Sequence, residues 1–326
     1  MHVEWRDDED VFDDPAWARA WRLDPEATIF HRPSFLGRYR EALGRGRLAV
    51  ALVGDQGPPV AACAFEIEDE VLRFLGGFEA TDYEGPVGDP AVRRSAAAAL
   101  MAALAARAEW GRADLRGLRG DGSWLVALED GAREAGLKAE TSDDAVAPFL
   151  ELERSWDEYL AGLNAKLRHE IRRKRRRLLD VFPEARAVDA TAETLPEAAD
   201  RFVELHRSSP GQKGRFLDDD MERYFRRLAT ELFDDGSVKL TALHTSVGIL
   251  ATTIGFCDGH VFRLYNSAYD RRHAELAPGM VLLGMVIEDV IAGGYRAVDL
   301  LRDDLEYKYR FGARPRPLTR LVLARP

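Results

Sequence analysis

One order of elements occurs twice along this chain, and that repetition constrains the fold more than any other feature. In the first half, apolar β-type runs at 47–54, 59–67 and 71–78 precede a helix-forming stretch at 91–110 and a short strand at 113–118. The second half predicts strands over 238–244, 249–256 and 261–269, a helix over 279–292 and a short strand at 297–301. Short runs rich in branched and aromatic residues, bounded by Gly, Asp and Asn, mark the strands, and the longer alanine- and leucine-rich stretches mark the helices. The two series are offset by about 190 residues as a pattern rather than as identical sequence. Two copies of one α/β unit is the simplest chain that carries this order.

The remaining segments fit around the copies. Residues 155–179 predict one helix, opened by Ser155 with Glu158 three positions later as a capping box. Trp156, Tyr159, Leu160, Leu163, Leu167, Ile171 and Leu178 recur at helical spacing within it. Further helices are expected over 196–207 and 218–233, with a loop at 211–214 between them. The boundary between copies falls near 152–155, where a strand-like run gives way to the capped helix. No long Gly/Ser or Pro linker separates the halves, so they are expected to pack together.

At 46% hydrophobic and 31% charged, the 326 residues have the balance of a globular protein and exclude a disordered or collagen-like chain. Cys63 and Cys257 both sit in apolar runs and offer neither a disulfide framework nor metal spacing, so no metal is expected. No apolar stretch reaches membrane-spanning length. The acidic first residues lack the pattern of a secretory signal, and a cytoplasmic protein is expected. The net charge of −10 is unevenly spread: residues 1–154 carry 18 Lys and Arg against 30 Asp and Glu, and residues 155–326 carry 28 against 26. The acidic total argues against a dedicated duplex-DNA binder. Locally, residues 166–177 hold eight Lys and Arg in twelve positions, a run that reads first as a solvated or inter-domain helix face and second as a contact for an anionic ligand.

Two stretches carry chemistry. In the first, the strand containing Tyr265 leads to Ala277, Pro278, Gly279 and Met280 at the start of an apolar helix. The first amides of a helix have no partner within it, and with the helix dipole they suit a pyrophosphate. In the second, a strand ending at Asp299 is followed by Arg302, Tyr307, Lys308, Phe311 and Gly312, at the carboxyl end of a strand, where open α/β sheets bind ligands. Tyr307 is a proton donor and Lys308, one of six lysines, a cation suited to a carboxylate, phosphate or oxyanion.

These residues, with Leu163, Asn164, Lys166, Arg168 and Arg173 of the basic helix and Leu205 and His206 of the next, resemble in order and spacing the BioF2-like, FemAB-related branch of the GNAT acyltransferase superfamily over about residues 155–315. The first half resembles the degenerate partner domain, with Asp82 and Tyr83 after its third strand. The resemblance implies mixed α/β sheets in two tandem GNAT-like domains, each a mostly antiparallel sheet flanked by helices: a degenerate domain over 1–154 and an acyltransferase domain over 155–326. It implies an amine attacking the thioester of acetyl-CoA or another acyl-CoA, with a small-molecule or peptide amine as acceptor. Aminoacyl-tRNA is the donor in the related Fem ligases and is the less favoured partner here. A silent ligand-binding module is the reading from outside the enzymes. On this resemblance Pro278, Gly279 and Met280 hold the donor, and Tyr307, Lys308 and Asp299 are catalytic. His206, Tyr265, Arg302 and Tyr83 bind substrate. The chain departs from the family at Arg302, Asp303 and Asp304, where a glycine is common, and at Ser208, Ser209 and Pro210, where an aromatic is usual.

Overall fold

The computed structural model describes residues 1–55 and 57–325, and the chain divides into two compact units, 1–146 with 316–326, and 147–315. The first unit begins with β1 (His2–Arg6), α1 (Pro15–Leu23) and α2 (Pro33–Leu43). It continues through β2 (Arg47–Gly54), β3 (Ala61–Glu68), β4 (Val71–Phe74), β5 (Val87–Gly88), α3 (Arg93–Ala106), β6 (Arg112–Arg119) and α4 (Ser123–Glu134). β7 (Lys138–Glu151) carries the chain from the first unit into the second. The second unit then holds α5 (Trp156–Gly162), α6 (Ala165–Val181), β8 (Arg186–Asp189), α7 (Leu195–Arg207), α8 (Gln212–Phe216) and α9 (Asp219–Phe233). It ends with β9 (Val238–Thr245), β10 (Gly248–Asp258), β11 (Val261–Tyr269), α10 (Pro278–Ala292), β12 (Ala297–Asp299) and α11 (Glu306–Tyr309). β13 (Arg314–Ala324) returns most of its length to the first unit.

Within the first unit the strand order is β1-β2-β3-β4-β6-β13, with β5 paired to β3. Every neighbour in that order is antiparallel except β4 and β6. The second unit runs β7-β12-β11-β10-β9-β8, and its one parallel pair is β11 and β12. The parallel pair therefore falls at the same step of the repeat in both units. A parallel step needs a crossover, which α3 supplies in one unit and α10 in the other. This places the first residues of α10 beside the carboxyl end of β11, at Tyr269, while β12 ends at Asp299 opposite Arg263 in the first half of β11.

Each unit has its own apolar core. In the first, Phe65, Leu72, Phe74 and Trp110 pack with Ala97, Leu100, Met101 and Leu104 of α3. Alanines on α3 let α4 approach closely, so that a side chain at Gly131 would lie 2.9 Å from the Ala97 carbonyl oxygen. A charged cluster is buried in the same unit: Asp24 accepts from Arg93 at 2.7 Å, from the Trp124 indole at 2.7 Å and from the Gly88 amide at 3.0 Å. In the second unit Phe262, Leu264, Leu282, Val286, Ile287 and Phe311 form the centre.

Several sequence expectations differ from the structure. The helix predicted over 155–179 is two, because Gly162 ends α5 and Asn164 opens α6 by accepting from the Leu167 amide at 3.0 Å. The expected cap at Ser155 is present, taking the Glu158 amide at 3.2 Å. The expected loop at 211–214 contains the start of α8. The strand predicted over 297–301 stops at Asp299, because Leu301 takes a left-handed conformation with φ 57°. The units divide at 146/147 where the sequence placed a boundary near 152–155. Among the described residues no helix is long and apolar enough to cross a membrane.

Candidate functional site

The site is organised by β11. Opposite it on β10, Ile254 faces Asn266 while the next residue, Gly255, faces Leu264, so Tyr265 is an extra residue with no cross-strand partner. Such a bulge re-aims the side chains on either side of it. Gly255 is what the close packing tolerates there, since a side chain would lie 2.7 Å from the Arg263 carbonyl oxygen. The Tyr265 ring rests between Phe225 of α9, at 6.3 Å between centroids, and Phe256 of β10, at 5.0 Å.

Asn266 and Ser267, next along the bulge, link two of the expected site residues. His206 on α7 is 0% exposed, and its Nε2 lies 3.2 Å from Asn266 Nδ2. The amide Oδ1 accepts from the Ser267 amide at 2.8 Å. An amide nitrogen only donates, so His206 Nε2 accepts and its proton sits on Nδ1. The Ser267 side chain hydrogen-bonds the phenol of Tyr307 on α11. Burial pushes that phenol up to about 12, helped by the charge of Asp303 and opposed by the Ser267 hydrogen bond. Tyr307 is a protonated donor throughout the neutral range.

Asp299 and Lys308 are both buried, at 0% and 3% exposure, and both are engaged with the polypeptide. Asp299 Oδ2 accepts from Arg263 at 2.7 Å, and its Oδ1 accepts from the Leu301 amide at 2.9 Å. Arg263 also reaches Asp258 at 3.0 Å. The Lys308 ammonium donates to the Leu301 carbonyl at 2.9 Å and to the Arg302 carbonyl. Leu301 is thus gripped from both sides, its amide by Asp299 and its carbonyl by Lys308. The turn they hold contains two left-handed residues, Leu301 at φ 57° and Asp303 at φ 81°. Arg302 enters this arrangement through its backbone, with its side chain partly exposed.

α10 opens without a side-chain cap. Its N-cap, Ala277, is left-handed at φ 52°, and the Val281 amide makes the bond back to Ala277 at 3.1 Å. Pro278 has no amide hydrogen, so Gly279 and Met280 supply the first free donors of the helix. A side chain at Gly279 would lie 3.3 Å from the Tyr269 ring at the end of β11, so the glycine keeps the helix start close to that strand. The turn suits an anionic group such as the pyrophosphate of coenzyme A.

β11 thus carries or touches most of the expected residues of the second unit: Tyr265 within it, His206 and Tyr307 through Asn266 and Ser267, Gly279 against Tyr269, and Asp299 through Arg263. Tyr83 belongs to the first unit, where it is 1% exposed and its ring is 6.4 Å from that of Phe30. Sequence reasoning missed Arg263, and it singled out the stretch 264–270 without giving Asn266 or Ser267 a role. The bulge is what turns them into site residues, and its sequence trace is a single glycine at 255 in an apolar strand.

A family model described as an acetyltransferase (GNAT) domain matches residues 165–309. No curated protein matches the chain. Among solved structures, FemX superposes with a TM-score of 0.67 at 11% identity, covering 98% of this chain and 97% of its own. The C-terminal domain of a putative lysylphosphatidylglycerol synthetase from Agrobacterium fabrum gives 0.60 at 12%, covering 97% and 92%. A tandem GNAT protein from the clavulanic acid biosynthesis pathway gives 0.53 at 13%, covering 99% and 98%. These likenesses share a mixed α/β architecture with the chain, and the family model places the site described above inside a GNAT domain. Residues 165–309 thus match the acetyltransferase (GNAT) domain family, and the chain shares the fold of FemX and of a tandem GNAT protein.

Proposed function

We propose that the chain is an N-acyltransferase that moves an acyl group from acyl-CoA to the amine of a small molecule or peptide by direct attack. The observation that carries this reading is the arrangement on β11: an uncapped helix start at one end and, bound to Ser267, a phenol held in its protonated form. The Gly279 and Met280 amides would receive the donor's pyrophosphate. The acceptor nitrogen attacks the thioester carbonyl, the C–N bond forms, and the C–S bond breaks. The Tyr307 phenol gives its proton to the departing thiolate and is restored by the proton that the acceptor nitrogen loses. His206, Asn266 and Tyr265 form the wall that would face the acyl group or the acceptor. We assign Lys308 and Asp299 to positioning, because their hydrogen bonds hold the turn from which Tyr307 starts. The first unit, with Tyr83 in its core, is the degenerate partner in this reading.

Thiol release from acetyl-CoA in the presence of an amine panel tests the proposal. Tyr307→Phe should lower kcat by roughly 10²- to 10⁴-fold with the fold intact. Full activity in that variant would remove Tyr307 from the chemistry. Transfer from charged tRNA with no thiol released from any acyl-CoA would replace the donor by an aminoacyl ester.

A further inference from the structure

The sheet of the second unit separates α10 from α7. Leu243 of β9 packs in the core that holds α10. Leu240, an odd number of positions away and so on the other face of the strand, packs with Leu195, Ala198 and Ala199 of α7. With the donor at the start of α10, the α7 face is left to the acceptor. On that face a run of rings leads away from the bulge. Tyr265 lies 6.3 Å from Phe225 of α9 between centroids, and Phe225 stacks on Phe202 of α7 at 4.7 Å. Phe202 lies 5.6 Å from His206, and His206 6.1 Å from Phe216 of α8. Phe225, Phe202 and His206 are buried, and the two ends of the run, Tyr265 and Phe216, are half-buried. Because His206 also reaches Asn266, the half-buried rings flank the His206–Asn266 pair, one beside each member.

The end of α7 fixes Phe216 from behind. Arg207 donates to the Leu217 carbonyl at 3.1 Å, the Ser208 hydroxyl donates to the Leu205 carbonyl at 2.7 Å, and a side chain at Gly214 would collide with the Ser209 carbonyl. The ring is therefore a set wall and not a loose side chain. The charges next to the rings are engaged with one another. Arg207, which follows His206, pairs with Asp219 at 2.9 Å and Glu222 at 2.8 Å. Arg226, which follows Phe225, pairs with Glu222 at 2.7 Å and Asp200 at 2.5 Å. A second charge on an acceptor would lose its water here and have to break one of these pairs, whereas an aromatic group gains contact with rings already in place. We infer that Phe216 is a specificity-determining residue which, with Tyr265, selects an acceptor whose amine is carried beside an aromatic ring, an arylalkylamine, over one that carries a second charge. The inference rests on the acyl-transfer reading and adds to it the class of acceptor.

Two measurements on the full chain test it, each with 2-phenylethylamine and with 1,4-diaminobutane: calorimetric binding in the presence of coenzyme A, and thiol release from acetyl-CoA. The phenyl amine should bind more tightly and show the higher kcat/KM, each by about tenfold. Phe216→Ala should cost about tenfold for 2-phenylethylamine and less than about twofold for 1,4-diaminobutane. Phe216→Leu keeps most of the packing and removes the ring, so it should cost the phenyl amine about three- to fivefold. Phe216→Tyr keeps the ring and should stay within about twofold of the parent chain. Val126→Ala trims an exposed side chain of the first unit and should change neither amine. Equal use of the two amines overturns the inference, as does a loss in Phe216→Leu that is the same for both, and either result leaves acyl transfer standing. Binding and turnover of neither amine overturn it as well. Selective binding of 2-phenylethylamine with no thiol released overturns the acyl-transfer reading and supports the selection by Phe216.

Discussion

At the scale of single residues, the turn between β12 and α11 holds the sharpest expectations. Asp303 sits at φ 81°, a conformation that glycine adopts without strain. Asp303→Gly should therefore stabilise the fold by about 0.5–1 kcal/mol in urea unfolding. Leu301 is also left-handed, yet its side chain is buried. Leu301→Gly relieves the same backbone and empties part of the core, so it should destabilise by about 2–4 kcal/mol. Lys308→Ala frees the Leu301 and Arg302 carbonyls, and amide exchange over 301–305 should quicken while kcat falls. Asp270 gives a pH effect. The hydrogen bond from Arg272 holds its carboxyl down at about 2, below the ordinary value of 3.8 that it regains on unfolding. A depressed folded value contributes stability that is present above about pH 4 and lost as the pH falls towards 2. Asp270→Asn should show a smaller loss of stability than the parent chain between pH 5 and pH 2.

At the scale of elements, how much of the site was legible depends on how local its cause is. The helix start at Pro278 and Gly279 was readable because proline and glycine act on the backbone where they stand. Tyr307 and Lys308 were readable as polar groups following a strand end. The grip of Asp299 and Lys308 on Leu301 was not, because it depends on a left-handed leucine that no local preference predicts. The Asn266–Ser267 link needs the bulge, and a bulge comes from two strands meeting out of step. The same limit applies to the split of the predicted helix into α5 and α6: Asn164 is a good N-cap, but the apolar spacing runs straight past it. In the first unit, the buried cluster joining α1, α3 and α4 through Asp24, Arg93 and Trp124 is equally non-local. Removing its carboxylate in Asp24→Ala leaves Arg93 buried without its closest anion, at a cost of about 3–5 kcal/mol in thermal or urea unfolding.

For the molecule as a whole, the repeated order of strands and helix carried the fold. Three strands, a crossover helix and a parallel strand occur once in each unit, as the two series of apolar runs predict. The flanking strands escaped that reading. β7 is largely polar and exposed along its first half, and β13 opens with Pro315 and Pro317 among arginines, so both look like connecting chain. Their place is fixed by partners far away in sequence, and the units divide at 146/147, within β7, where the passage from a strand-like run to a capped helix suggested 152–155. The account rests on the donor meeting the first turn of α10. Hydrogen exchange at the Gly279 and Met280 amides, with and without coenzyme A, reads that contact without knowledge of the acceptor amine. Slowed exchange at these two amides is the predicted result, and unchanged exchange at saturating coenzyme A would contradict the account.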